Sequence, residues 1–119
     1  MKIAIYDGVQ RDRETAALLI SDYYREKGLQ ADIIQYGKID DFIEVFRRRC
    51  FAAVFIGLNS MRDVDCAWVI RNRDENCPLV IMSRCSDYSL EGYRLKAADY
   101  LIKPLDMVRI TETLNRLNS

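Results

Sequence analysis

The sequence predicts an α/β domain in which a parallel sheet is covered by helices on both faces, and three observations lead to this prediction. Five short apolar segments alternate along the chain with five longer amphipathic segments. Strands that are separated by helices of this length pair in parallel, through right-handed crossovers. Segments 52–56 and 79–82 are continuously apolar, as expected of strands buried on both faces. With 119 residues, the chain is expected to form one domain over 1–119.

The first half of the chain predicts three strands and two helices. Each strand is followed by a residue that breaks an extended run: Asp7 with Gly8, then Gly37, then Gly57. The first helix keeps apolar residues at helical spacing until Gly28, which is typical of a helix C-terminus. The predicted elements are strand 2–6, helix 12–27, strand 31–36, helix 40–49 and strand 52–56.

The second half continues the alternation. Pro78 precedes an apolar strand, and Ser86 is a residue type that caps helices. The last helix repeats apolar residues at a spacing of three or four. The predicted elements are helix 63–73, strand 79–82, a helix from Ser86 to residue 95, strand 99–102 and helix 106–117.

Charge and cysteine usage exclude several classes of function. The 18 basic and 18 acidic residues cancel, so no global attraction to nucleic acid or to an anionic membrane is expected. The one basic run, Arg47 to Arg49, is interpreted as cations in the last turn of the second helix, where the helix dipole favours them. Four cysteines without a Cys-x-x-Cys pair, in a chain with no histidine, argue against zinc. They are expected to be reduced and mostly buried, in a cytoplasmic protein without a signal peptide or membrane span; they are Cys50, Cys66, Cys77 and Cys85.

Polar or special residues follow four of the predicted strands. They are Asp7, Gly57, Ser83 and Lys103. In an open parallel sheet, sites form at the carboxyl ends of the strands, near the point where the strand order reverses. These four positions are therefore the expected location of a functional site.

Two stretches carry a resemblance to a known family. The sequence reads PLVIMS over 78–83 and SLEGYRLKAADYLIKP over 89–104. Over essentially its whole length the chain resembles the receiver domain of bacterial response regulators. The resemblance implies a flavodoxin-like, doubly wound sheet of five strands in the order 2-1-3-4-5, with five helices. The AADYLIKP version is most similar to receivers joined to LytTR-type DNA-binding domains.

The resemblance also implies a set of phosphotransfer residues, which this chain keeps only in part. In the family, two acidic residues after the first strand hold Mg²⁺, which prefers carboxylate and water oxygens. Asp7 matches the first of them, but Gly8 stands at the second. The nucleophilic carboxylate at the end of the third strand is replaced by Gly57. The following loop, 58–60, is two residues shorter than the family pattern.

The remaining positions match better. Ser83 and Lys103 stand where the family's hydroxyl and lysine contact the phosphoryl oxygens, and the Lys103–Pro104 peptide is expected to be cis. Arg84 occupies a position where receivers usually carry a small residue. Asp7 is expected to form a structural ion pair with Lys103, joined by Arg84, rather than a Mg²⁺ site. No cofactor is therefore expected, and Mg²⁺ binding should be weak or absent.

Three functions remain open from the sequence. The first is a phosphorylation-independent receiver that is not an enzyme and acts by docking or dimerisation. The second is a phosphoreceiver that uses Asp63 or Asp65 as a substitute acceptor. The third is a sensor of small anions, which would bind Arg84 and Lys103 in the vacated pocket.

The expected partners are a protein or a second copy of the chain, with no direct contact to nucleic acid or membrane. Tyr88, Tyr93 and Tyr100 form the candidate interaction face, because tyrosines supply large amphipathic contact area; Tyr100 matches an aromatic residue that changes rotamer on activation in the family. Trp68 is expected to be partly exposed and marks a second candidate surface. A DNA-binding domain outside this chain would give a transcriptional output.

Overall fold

The computed structural model describes all 119 residues and shows a five-stranded parallel sheet between two layers of helices. The strand order is β2-β1-β3-β4-β5, so the prediction of a doubly wound, flavodoxin-like sheet with the order 2-1-3-4-5 is confirmed. The strands are β1 (Lys2–Tyr6), β2 (Asp32–Tyr36), β3 (Ala53–Gly57), β4 (Leu79–Ser83) and β5 (Asp99–Ile102). The helices are α1 (Gln10–Glu26), α2 (Ile39–Phe46), α3 (Met61–Arg73), α4 (Ser89–Arg94) and α5 (Met107–Leu117).

Side chains of alternate sheet residues build one hydrophobic core on each face. Val54, Ile56 and Ile81 point to the face covered by α2, α3 and α4. Phe55 and Val80 point to the face covered by α1 and α5. Every residue of β3 and β4 is buried, which is why these two strands read as unbroken apolar runs in the sequence.

Two helices begin two residues earlier than the periodicity of apolar residues predicts, and the fourth begins three residues later. The first helix begins at Gln10 rather than residue 12, and the third at Met61 rather than residue 63. The first turn of α1, residues 10–13, is entirely polar and carries no apolar signal, so the pattern misses it. The fourth helix begins only at Ser89, and Ser86 is not its cap: it lies in the preceding turn and its carbonyl accepts from the Ser89 amide.

The second helix ends three residues before its predicted end. Phe46 is its last residue and Arg47 its C-cap, so no arginine of the basic run lies within its last turn. The interpretation of that run as last-turn cations is therefore wrong. Arg47, Arg48 and Arg49 instead form the exposed connection from α2 toward β3.

The cysteines divide evenly between core and surface. Cys66 and Cys77 are buried, whereas Cys50 and Cys85 are exposed, and none is disulfide-bonded. The expectation of mostly buried thiols holds for two of the four. Burial raises the pKa of Cys66 to about 12 and that of Cys77 to about 11, so both thiols stay protonated at neutral pH.

The carboxyl ends of the five strands meet at one edge of the sheet. Asp7 and Lys103 directly follow β1 and β5, while Gly57 and Ser83 are the last residues of β3 and β4. The Lys103–Pro104 peptide is cis, as expected. None of the helices combines the length and the apolar character needed to cross a bilayer.

Candidate functional site

A buried ion pair joins the ends of β1 and β5. The ammonium of Lys103 lies 2.7 Å from Oδ2 of Asp7, and the two side chains are 2% and 0% exposed. Backbone geometry positions the lysine, because its amide donates to the carbonyl of Ser83 at the end of β4. The expected Asp7–Lys103 ion pair is therefore present.

A second carboxylate, which the sequence analysis did not assign to the site, completes the charge balance. Asp12, in the first turn of α1, lies 2.9 Å from the same ammonium. Arg84 binds both oxygens of Asp12, at 2.9 and 3.0 Å, and has no ion pair with Asp7. Arg84 thus joins the cluster through Asp12, and two cations face two carboxylates.

Gly57 owes its identity to the side chain of Asp7. A Cβ atom built on Gly57 would lie 2.2 Å from Oδ2 and 2.3 Å from Cγ of Asp7. The backbone of Gly57 is that of an ordinary strand residue, without a positive φ. The third strand ends at Gly57, as the sequence predicts, but the residue belongs to the strand and not to a turn. The absence of a side chain at Gly57 leaves the space that the carboxylate of Asp7 occupies, so this space is filled.

The arrangement around Asp7 does not fit Mg²⁺. Oδ1 accepts hydrogen bonds from the amide of Val9 and the side-chain amide of Asn59, both at 2.9 Å. Oδ2 accepts no hydrogen bond and contacts the ammonium of Lys103. Mg²⁺ needs about six oxygen ligands in octahedral geometry, whereas here each oxygen of Asp7 already faces a donor or a cation. Gly8, at the second acidic position, is exposed and has no side chain to contribute.

Neither substitute acceptor lies beside Lys103. The carboxylate of Asp63 is 5% exposed and accepts from the hydroxyl of Tyr6 at 2.9 Å and the amide of Asn59 at 2.8 Å. Burial, reinforced by the bond to Asp63, raises the pKa of Tyr6 well above its usual range. Asp65 lies on the exposed side of α3. Asp63 thus serves as a buried hydrogen-bond acceptor that holds the β3–α3 loop.

The hydroxyl groups near β4 are engaged locally. Ser83 is buried, and its Oγ accepts from the amide of Cys85 at 3.4 Å, so this serine closes its own turn. The hydroxyl of Tyr100 donates to the carbonyl of Cys85 at 2.7 Å. Gly92 gives the Tyr100 ring its room, because a Cβ there would lie 3.1 Å from Cδ2 of the ring.

The candidate interaction face has one strongly exposed tyrosine. Tyr93 is 83% exposed, whereas Tyr88 and Tyr100 are half-buried and pack against the core. Large apolar side chains of α4, β5 and α5 are exposed as well; they are Leu90, Ile102 and Val108. Trp68 is half-buried, and its indole N–H points to Glu91 of α4 at 3.4 Å, so it contacts α4 besides being partly exposed.

Two residues of the site were missed, and only one carried a usable signal. Asp12 lies in the first turn of the helix that follows β1, so its carboxylate lies at the carboxyl edge of the sheet. The helix dipole alone also favours an acidic residue in a first turn. The position of Asp12 therefore did not by itself require an ion pair with Lys103. Asn59 donates to Asp7 and accepts from Lys103 at 3.2 Å, and nothing in the local sequence distinguishes it from a loop asparagine.

Comparison with solved structures finds receiver domains whose overall fold is similar to that of this chain. The response regulatory domain of protein mrkE from Klebsiella pneumoniae has a TM-score of 0.84 and 21% identity, with 99% of this chain and 95% of that chain covered. The chemotaxis protein CheY4 of Vibrio cholerae has a TM-score of 0.80 and 15% identity, with 98% and 97% covered. The chain has the receiver-domain fold.

The receiver fold is also found as part of longer regulators. The response regulator DrrB, a Thermotoga maritima OmpR/PhoB homolog, aligns with 97% of this chain but only 52% of its own length, with a TM-score of 0.71 and 19% identity. No protein-family model and no curated protein matches the sequence. The likeness therefore concerns the receiver fold, and function rests on the site.

Proposed function

We propose that this chain is a receiver domain of a two-component regulatory system that acts by protein docking without accepting a phosphoryl group. The observation that carries the proposal is the contact between Asp7 and Gly57. Oδ2 of Asp7 lies where a side chain at position 57 would begin. The lysine that would receive phosphoryl oxygens is instead neutralised by Asp7 and Asp12. In this proposal the chain is not an enzyme, and it needs no Mg²⁺.

Incubation with acetyl phosphate and Mg²⁺, followed by intact-mass measurement, tests this function. No phosphoryl adduct is expected, while an ordinary receiver treated in parallel gains one. An adduct that hydroxylamine removes would show that another carboxylate accepts the phosphoryl group, and would overturn the proposal.

The docking surface is proposed to be the exposed face of α4, β5 and α5, with a second copy of the chain as its occupant. Leu90, Tyr93, Ile102 and Val108 are 57%, 83%, 49% and 67% exposed, an apolar group of the kind that marks interfaces. Residues of both charge signs surround it, including Arg109 and Glu112. Two-fold pairing needs such a surface, because the same patch must complement itself.

Sedimentation of the purified chain over a range of concentrations tests the dimer. We expect a concentration-dependent dimer that acetyl phosphate does not change. Tyr93→Glu with Val108→Glu should abolish it, whereas Leu18→Glu, on the exposed side of α1, should not. A strictly monomeric chain at all concentrations, or equal loss in both variants, would exclude this face as a self-association surface.

The output is proposed to be transcriptional, through a DNA-binding domain outside this chain, in the cytoplasm. The sequence resemblance to receivers joined to LytTR-type domains supports this. The half-length match to the longer regulator DrrB supports it as well. A cavity of about 180 Å³ is lined by Arg11, Arg84 and Lys103, but the pairing of Arg84 and Lys103 with carboxylates argues against a small-anion sensor.

A further inference from the structure

A basic groove lies at the amino-terminal edge of the sheet, opposite the Asp7–Lys103 cluster. It has a volume of about 310 Å³, between the end of α2 and the end of α3. It is lined by Arg47, Arg48 and Arg49 on one side and by Arg73 on the other. The groove shares no residue with the proposed docking face.

The positive charge of the basic groove is largely uncompensated. Arg48 pairs with Glu44 at 3.0 Å, but Arg47, Arg49 and Arg73 have no carboxylate within 4.0 Å. The one acid in the wall, Asp74, uses its Oδ1 to accept from the amides of residues 76 and 77 in its own loop. Three exposed guanidinium groups therefore face solvent together.

Helix stabilisation accounts for one member of this cluster, because Arg73 lies in the last turn of α3, but not for the other three. The three arginines at 47–49 follow the last residue of α2 and lie outside its last turn, where a cation best complements the dipole. Elsewhere in the chain, buried or structural arginines have defined partners; Arg71, for example, donates to the carbonyls of Leu95 and Cys77 at 2.7 and 2.9 Å. Among the groove arginines, only Arg48 has a side-chain partner, the exposed Glu44.

We propose that the basic groove is a second docking site, which binds a segment rich in aspartate and glutamate in a partner protein. Guanidinium groups bind carboxylates through two parallel hydrogen bonds, and arginine is enriched at the centres of protein interfaces. Duplex nucleic acid is the less suitable occupant. Even a single DNA-binding module buries about 600–1,000 Å² of strongly basic surface, whereas this chain has no net charge and its groove is short.

The test is fluorescence anisotropy of a labelled twelve-residue peptide of alternating Glu and Asp, titrated with the intact chain. The groove variant is Arg47→Gln/Arg49→Gln/Arg73→Gln. The matched control is Arg11→Gln/Arg62→Gln/Arg94→Gln, which removes the same charge from exposed positions elsewhere. Circular dichroism and thermal unfolding check that both variants fold like the parent chain.

We expect the peptide to bind the parent and the control with similar affinity, and the groove variant at least tenfold more weakly. Added salt should weaken binding, because the contacts are ionic. No binding to the parent, or equal loss in both triple variants, would overturn the proposal. It would also be overturned if a duplex oligonucleotide bound more tightly than the peptide and lost affinity only in the groove variant, since the surface would then be one for nucleic acid.

Discussion

At the scale of single residues, the site depends on the space left by the missing Cβ atom of Gly57. Gly57 leaves room for the carboxylate of Asp7, and that carboxylate neutralises Lys103. A buried ion pair of this kind tolerates the loss of a partner poorly, because the remaining charge stays buried without compensation. Position 57 is therefore under a steric demand that a sequence cannot display, since the demand comes from a neighbouring strand.

We predict that Gly57→Ala destabilises the fold, although alanine suits a strand interior better than glycine does. The added Cβ collides with Asp7 and forces its carboxylate away from Lys103. The free energy of unfolding should fall by about 2 kcal/mol or more, as measured by urea denaturation.

Gly8→Ala is the matched control for that substitution. A Cβ at position 8 meets only the Tyr6 hydroxyl, at 3.7 Å, so its effect should be small. Equal stability of Gly57→Ala and the parent chain would show that Asp7 does not need this space.

At the scale of elements, β5 and α5 are held together by one carboxylate. Asp99 accepts from the Thr113 hydroxyl at 2.6 Å and contacts Arg109 and Arg116. Burial alone would raise the pKa of Asp99, but the bonds from Thr113 and the Tyr100 amide, together with the two arginines, outweigh it and lower the pKa. The unfolded chain therefore binds a proton at this residue more readily than the folded chain does.

We predict that the free energy of unfolding falls in acid because Asp99 becomes protonated. Its contribution is complete above the unfolded pKa of about 3.9 and disappears as the pH falls through the lower folded value. Asp99→Asn should cost about 2 kcal/mol at neutral pH, and the difference from the parent should narrow on acidification.

Urea denaturation at a series of pH values measures this difference. Asp87→Asn, at an exposed position without an ion pair, is the control and should follow the parent throughout. The prediction would be contradicted if the free energies of unfolding of Asp99→Asn and the parent differed by the same amount at every pH, including the lowest.

At the scale of the whole molecule, the charge cluster that joins β1, α1 and β5 is balanced without a metal. Two carboxylates face Lys103 and Arg84, so no excess negative charge remains for a divalent cation to relieve. We predict that millimolar Mg²⁺ leaves the melting temperature unchanged, whereas an ordinary receiver with an acidic pocket is stabilised by mass action. Differential scanning calorimetry with and without Mg²⁺ measures this, and a clear rise in the melting temperature would contradict the balance.

The architecture was predictable from the sequence because it depends on repeated, local signals. Alternating apolar strands and amphipathic helices predict a doubly wound sheet, and the buried central strands are recognisable as unbroken apolar runs. Helix ends were less predictable, as the early end of α2 at Phe46 shows. Apolar periodicity reports which face is buried, and it says little about where a polar turn stops being helical.

The site was predictable only where residues follow strands. Asp7 and Lys103 could be paired because the carboxyl ends of parallel strands meet at one edge. Asp12 could have been assigned from its place in the helix that follows β1, whereas Asn59 could not, since its contacts with Asp7 and Lys103 depend on side-chain directions in a loop. The sequence also does not show why position 57 is glycine, because the reason is the nearby carboxylate of Asp7.

The steric contact between positions 7 and 57 also limits which substitutions the sequence can accept during evolution. Installing an aspartate at 57 first drives two carboxylates into one space, and removing Asp7 first takes one carboxylate from the buried ammonium. Each single step is expected to destabilise the fold, whereas the paired exchange avoids both costs. The two positions are therefore coupled, and a carboxylate at position 57 is expected to be tolerated only when position 7 changes with it.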